Sequence, residues 1–335
     1  MLFEKGYKTN LGGECLNICL RNHLNYLGLN ILGCDILFLG DGFKLQYEKN
    51  GDLGEVTSGK ETYYANYRFL EKIGVHFEKN FLKPENDRKN FLIDAINSEK
   101  LITIAAKSVK LEYNQIYSQG IETVHFINPI GYDLVNDQIY ISDGYTTIGN
   151  ADGFEGWVST SQIMDAWSET DYFYIIIKND VSDLLSQNET DELFRKKLLD
   201  GLKEYMELEC RNDRPSGRYA LRCFVDEMDT WENDLSLFTK ERMINLTYKI
   251  KIYGLMACRL ILKEIKERLK LSEEIGKKME WIIKEWNELC FLFIKLSMTK
   301  KQSELIKKIQ IKIQNIIQIE ESVIEEIINN VSEGI

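Results

Sequence analysis

No stretch of this chain approaches the roughly eighteen uninterrupted apolar residues that a membrane span requires, and the opening MLFEKGYKTN lacks the basic start and apolar middle of a signal peptide. Both absences point to the cytoplasm and to no membrane partner. C-x-x-C pairs are missing too, and the seven cysteines, an odd number, are scattered over the whole length. That usage fits a reducing compartment better than a disulfide framework, so most of them are expected as buried thiols. A basic footprint for nucleic acid is absent, since the formal net charge is −11. The acidity is uneven: residues 1–180 carry 16 Lys and Arg against 25 Asp and Glu, and the remainder 26 against 28. Such a first half attracts cationic small molecules, although solubility alone is an adequate reason for it. There is no P-loop, dinucleotide fingerprint, short-period repeat or low-complexity tract, and the paired glycines Gly12 and Gly13 are too few to make one. No cofactor is expected.

What is present divides by periodicity. The 335 residues, 44% hydrophobic and 28% charged, suffice for two globular domains with separate cores. Up to about residue 180, helices mix with β-type runs such as LITIAA, TVHFINPIGYD, QIYISD and DYFYIIIK between Gly, Asn and Asp turns, which predicts an α+β domain. From about residue 183 glycine is sparse and apolar residues recur every three or four positions, as at Ile306, Ile309, Ile313, Ile316, Val323 and Ile327. This predicts an all-α helical bundle over 183–335, with the Ile-rich last helix as bundle core or a homodimer contact. Asp226, Glu227, Asp229 and Trp231 are read as a solvated helix face with one buried tryptophan in preference to a polyamine site.

The chemistry-bearing stretch is NLGGECLNICL. Reading LNICLRNHLNYLG as a helix places Leu16, Leu20, Leu24 and Leu27 at core spacing, with Gly28 as its αL stop and Cys15 at its start. Unpaired N–H groups and the positive helix end favour a thiolate there. Cys19, one turn on, is assigned to packing. A thiolate needs a base, and only three histidines are available. His23 is two turns from Cys15, roughly 12 Å along the axis, out of reach of the sulfur. With Cys19 it makes half a metal site lacking further ligands, so no metal is expected. His76 falls on a short strand among charged neighbours. His125 opens the strand HFINPIGYD, which a turn at LVND folds back onto QIYISD, so that Asp143 comes near its imidazole. Cysteine first on a helix, then histidine and a carboxylate on adjacent strands, is the order of the papain-like thiol enzymes. A lone Cys and His in a long chain are more often structural, and the three coincidences together weigh against that.

The run GGECLNICLRNHLNYLGLNILGCDILFLGDGFKLQY, followed by HFINPIGYD and ISDG, resembles the N-terminal domain of the butirosin-biosynthesis protein H family, whose papain-like fold is related to C39 cysteine peptidases. PSGRYALRCFVDEMDTW and YKIKIYGLMACRLILKEI resemble the helical domain that follows in that family. The resemblance implies a papain-like (C39-like) catalytic domain over 1–180 and makes Cys15 the nucleophile, His125 the general base and Asp143 its orienting partner. It implies acyl transfer from a carrier-protein thioester, through an acyl-cysteine, to an amine acceptor in small-molecule biosynthesis. Acyl carrier proteins are usually acidic, so docking would need a local basic patch, for which KLQYEK and KPENDRK offer lysines and arginine. Two positions depart from the family pattern. Glu14 stands where the family often has histidine, and a carboxylate beside the thiol raises its pKa. Thr9 occupies the place of the papain oxyanion glutamine, leaving the neighbouring Asn10 as the amide donor beside the Cys15 N–H. The same triad also serves a peptidase or amide hydrolase, and the same fold a non-catalytic binding or self-protection protein. Two Gly-containing segments, LFLGDGFKLQYEKNGDLG and GYTTIGNADGFEGW, are expected as loops around the pocket.

Overall fold

The computed structural model of the chain describes residues 6–50, 53–57, 61–83, 87–114, 122–146, 152–178, 184–207, 210–211, 214–231, 234–252 and 255–333. The elements run α1 (Cys15–Tyr26), α2 (Gly33–Leu39), β1 (Gln46–Asn50), β2 (Leu53–Thr57), α3 (Glu61–Lys72), β3 (Phe77–Phe81), α4 (Arg88–Asn97) and β4 (Leu101–Lys107). They continue with β5 (Val124–Asp133), β6 (Gln138–Asp143), β7 (Phe154–Ser159), α5 (Thr160–Ser168) and β8 (Phe173–Ile177). The remainder is α6 (Gln187–Met206), β9 (Cys210–Arg211), β10 (Arg214–Pro215), α7 (Arg218–Trp231), α8 (Lys240–Ile252), α9 (Leu255–Leu269), α10 (Glu273–Leu296) and α11 (Gln302–Glu333). None of the described helices is long and apolar enough to cross a membrane.

Two compact units divide the chain: one spans Met1–Ile36 and Asn66–Ser186, the other Leu37–Ala65 and Gln187–Ile335. This division differs from the expected cut between 180 and 183 in two respects. The change of unit falls at Ser186, and the segment 37–65, expected in the first domain, belongs to the second unit. Side-chain contacts explain why. Phe38 meets Phe194 edge-on at 6.3 Å between ring centroids, Lys197 pairs with Asp41 at 2.8 Å, and Glu227 accepts hydrogen bonds from the Tyr47 hydroxyl (2.5 Å) and the Gly54 N–H (2.8 Å). LFLGDGFKLQYEKNGDLG is therefore mostly the end of α2 and the β1–β2 hairpin, not a free loop. The second unit therefore combines the expected C-terminal helices with the β1–β2 hairpin.

In the first unit an antiparallel sheet runs in the order β3-β8-β4-β5-β6-β7. LITIAA reads as a continuous apolar run because β4 is buried from Leu101 to Ala106. The core gathers Ile18 of α1, Leu92 and Ile96 of α4, Ile104, Ile127, Ile141 and the fully buried Trp167 of α5, whose indole N–H donates to Phe173 O at 2.8 Å. Cys15, partly accessible, packs at the margin of this cluster. The hairpin from β5 to β6 forms as read, with Asn128 opposite Ser142 and Asp133 opposite Gln138, and Asp133 closes its turn by accepting from the N–H groups of Val135 and Asn136.

In the second unit α11 buries Ile306, Ile309, Ile313, Ile316, Val323 and Ile327, the predicted stripe. Arg259 and Glu320 pair inside it at 2.8 Å, both almost fully buried. Trp231 is buried and Asp226 and Asp229 are exposed, as read from the helix face. Glu227 departs from that reading: it is buried, and both its oxygens are committed to the β1–β2 hairpin.

Candidate active site

Helix α1 begins at Cys15 because Glu14 caps it. Glu14 takes an extended conformation (φ −137°, ψ 123°), its carbonyl accepts the first helical bond from Ile18 N–H, and its carboxylate accepts from the Leu16 N–H at 3.2 Å and from the Asn17 N–H. The helix stops as read: Leu27 caps it and Gly28 adopts φ +87°. Leu16, Leu20 and Leu24 are fully buried, and Leu27 only partly. The expectation that free N–H groups at the helix start stabilise a Cys15 thiolate needs correcting, because two of those groups are already paired with the Glu14 carboxylate.

The polar residues of α1 fix it on the sheet. Asn128 of β5 donates from Nδ2 to Cys19 O (2.9 Å) and to the Tyr7 hydroxyl (2.8 Å), and accepts at Oδ1 from Thr103 (2.7 Å). His23 lies 3.1 Å from Ile102 O through Nε2 and 3.1 Å from the Tyr7 hydroxyl through Nδ1. A carbonyl only accepts, so Nε2 carries the proton and Nδ1 accepts from Tyr7. Burial drives the His23 pKa down to about 3, and the ring stays neutral. Both nitrogens are engaged, so His23 offers no ligand. Among the described residues no group of three or more His, Cys, Asp and Glu side chains is arranged to hold a metal ion.

A second tie brings the helix start to the end of β6. Gly12 forms an isolated parallel bridge with Tyr145: its N–H donates to Gly144 O at 3.0 Å, and its carbonyl accepts from the Thr146 N–H (2.9 Å) and hydroxyl (3.0 Å). Arg21 holds the same segment through Leu11 O at 2.7 Å. A Cβ on Gly144 would sit 1.9 Å from Asn10 O, so this approach demands glycine. Gly12 is three residues before Cys15 and Tyr145 two after Asp143. One short bridge thus sets the register between the segments that carry Cys15 and Asp143.

The imidazole of His125 on β5 is buried, with Nε2 2.8 Å from Asp143 Oδ2. Cys15 and His125 are near enough for each to shift the other's pKa, and with Nε2 on Asp143 the nitrogen left to face the sulfur is Nδ1. The structure therefore brings Cys15, His125 and Asp143 together. Asp143 Oδ1 accepts the Tyr145 N–H at 3.1 Å, and Oδ2 also accepts the Tyr113 hydroxyl at 3.0 Å. Tyr113 stacks on Phe154, with centroids 4.0 Å apart and planes 15° from parallel. Burial and the neighbouring Asp143 hold the Tyr113 phenol well above its ordinary pKa, so it remains a donor. Sequence reasoning missed Tyr113, because nothing in LEYN marks it.

Burial opposes a charge on His125, but Asp143 and the contact to Cys15 override it and raise the imidazole to about 10. Burial pushes the Cys15 thiol up, the adjacent Glu14 adds to that, and the bonds from His125 and from the Phe126 N–H pull it down less. Glu14 Oε1 lies 3.9 Å from Cys15 Sγ. Cys19 is buried, which holds its thiol well above the usual range. His76 precedes β3 and is exposed. Asn10 turns its backbone N–H (3.1 Å) and Nδ2 (2.9 Å) to Asn22 Oδ1, and Thr9 bonds Ser142 at 2.7 Å. Residues 147–151 of the second expected loop lie outside the described residues.

A thiol on a helix stands beside an imidazole that is hydrogen-bonded to a carboxylate, the latter two on adjacent strands, which is the composition a cysteine nucleophile site needs. No family model matches the chain. No curated protein matches it either. Among solved structures, a Bacillus anthracis protein assigned as a C39-like peptidase is 13% identical, with a TM-score of 0.35, over 53% of this chain and 96% of that one. A likeness this low assigns neither a family nor an activity.

Proposed function

We propose that the first unit is a cysteine acyltransferase of papain-like arrangement, which takes an acyl group from a thioester, as on a carrier protein, and passes it to an amine. The observation that carries the reading is the Cys15–His125–Asp143 line itself, with His125 held at 2.8 Å by Asp143. Cys15 thiolate attacks the thioester carbonyl and forms a C–S bond. The donor's own C–S bond then breaks, and the departing thiolate takes the proton from His125. The amine next attacks acyl-Cys15, a C–N bond forms, Cys15 leaves as thiolate, and the surplus proton of the nitrogen passes to His125. Cys15 is the first residue of α1, so its N–H has no intrahelical acceptor and is a donor for the oxyanion. Asn10 is the proposed second donor, through the amide hydrogen that Asn22 does not take. The resemblance of GGECLNICL, HFINPIGYD and ISDG to the butirosin-biosynthesis protein H family favours transfer to an amine over peptide hydrolysis.

Incubation with an acyl thioester and a panel of amines tests this reading. Amide formation that requires Cys15 supports it. Hydrolysis alone, or turnover of peptides, gives the site to a peptidase or amide hydrolase. Full biological activity in Cys15→Ala would make the fold a binding or self-protection protein.

A further inference from the structure

The Glu14 carboxylate does something that neither the triad nor the cap alone requires. Its two oxygens take the N–H groups of Leu16 and Asn17, and Asn66 Nδ2 steadies Oε2 at 3.4 Å. Oε1 is thereby fixed 3.9 Å from Cys15 Sγ. The positive end of α1, the usual means of activating a cysteine at this position, is spent on a carboxylate instead. Burial raises the pKa of the Glu14 carboxyl, while its hydrogen bonds and the charge of nearby His125 favour the ionised form, and no Lys or Arg among the described residues pairs with it. We propose that Glu14 is a positioning residue that restrains the nucleophile: it keeps Cys15 a protonated thiol at rest and makes acyl-Cys15 a reluctant leaving group. The inference rests on the reading of Cys15 as the nucleophile.

The titratable groups that face the sulfur are few. Glu14 comes from its own segment, His125 from β5, Asp143 with the Tyr113 phenol from behind His125, and Cys19 from one turn along α1. His125 and the Phe126 N–H favour the thiolate, while Glu14 opposes it. A sulfur anion placed against a carboxylate is a stronger base and leaves more slowly. Restraint at Glu14 thus lengthens the life of the acyl-enzyme.

The test compares wild type with Glu14→Gln, which keeps an acceptor for a cap N–H, and Glu14→Ser, a neutral residue that caps helices well. Iodoacetamide labelling of Cys15 is followed against pH, with folding checked by circular dichroism. In a folded neutral variant, labelling at pH 7 should be severalfold faster and its midpoint should move to lower pH. Labelling that is unchanged or slower in both folded variants overturns the proposal. A merely structural cap would weaken the helix without accelerating the thiol. A second arm follows acyl-Cys15 by intact mass after a thioester pulse, and its lifetime in water should shorten in both variants. Faster labelling with no acylation by any thioester would keep the restraint and remove the transferase. Acylation with labelling and lifetime unmoved would keep the transferase and remove the restraint.

Discussion

Asp143 Oδ2 receives two donors at once, His125 Nε2 at 2.8 Å and the Tyr113 hydroxyl at 3.0 Å, and the first of these is the bond on which the site's chemistry turns. It fixes the ring, leaves Nδ1 for Cys15, and favours the imidazolium. Asp143→Asn keeps the shape but removes the charge. The expected outcome is a fall in kcat/KM of about 10²–10⁴-fold, judged from other triads, with the imidazole returning toward its ordinary pKa in an NMR titration.

The competent pair is thiolate with imidazolium. Cys15 must lose its proton while His125 keeps its own, so activity should climb on the alkaline side of neutrality and fall again as His125 deprotonates at about 10. A pH series of kcat/KM with a small thioester checks this. A plateau extending into acid would contradict it.

Stability should be limited on both sides by two histidines. His125 is raised to about 10 from 6.5, so its contribution is complete below pH 6.5 and is lost as pH rises through 10. His23 is lowered to about 3, so its contribution is present above pH 6.5 and is lost as pH falls toward 3. Thermal melts across that range should show the acid loss reduced in His23→Gln and the alkaline loss reduced in Asp143→Asn.

The Gly12–Tyr145 bridge should matter more to catalysis than to the bulk of the fold. Gly144→Ala sets a methyl group against Asn10 O. It should cost about 1–3 kcal/mol in overpacking and slow acylation further than that loss of stability explains. Tyr7→Phe makes the converse comparison: it removes the donor to His23 Nδ1 and the acceptor for Asn128, which should cost about 1–3 kcal/mol. Acylation by the folded fraction should be little changed, as measured by stopped denaturation curves and single-turnover rates.

These contrasts follow what could be read from the chain. Helix α1 and the His125–Asp143 hairpin are local, set by spacing, a glycine stop and a four-residue turn, and were legible. The bridge from Gly12 to Tyr145 links residues far apart through backbone atoms, and no side-chain pattern announces it. Glu14 was visible as a carboxylate beside a thiol. Its capture of the helix N–H groups depends on a dihedral angle that composition does not reveal. Tyr113 lies in a segment without periodicity. The 37–65 segment misled for another reason: its hairpin has strand character, which suits an α+β domain, while Tyr47 and Gly54 settle on a carboxylate from the helical half.

Intact-mass spectrometry after mixing the protein with an acyl thioester tests the central claim most directly. The account predicts a gain of one acyl group, mapped to Cys15, absent in Cys15→Ala, sharply reduced in His125→Ala, and discharged as amide when an amine is added. A folded protein that gains no mass from any thioester, with Cys15 alkylated no faster than the buried Cys19, would contradict it.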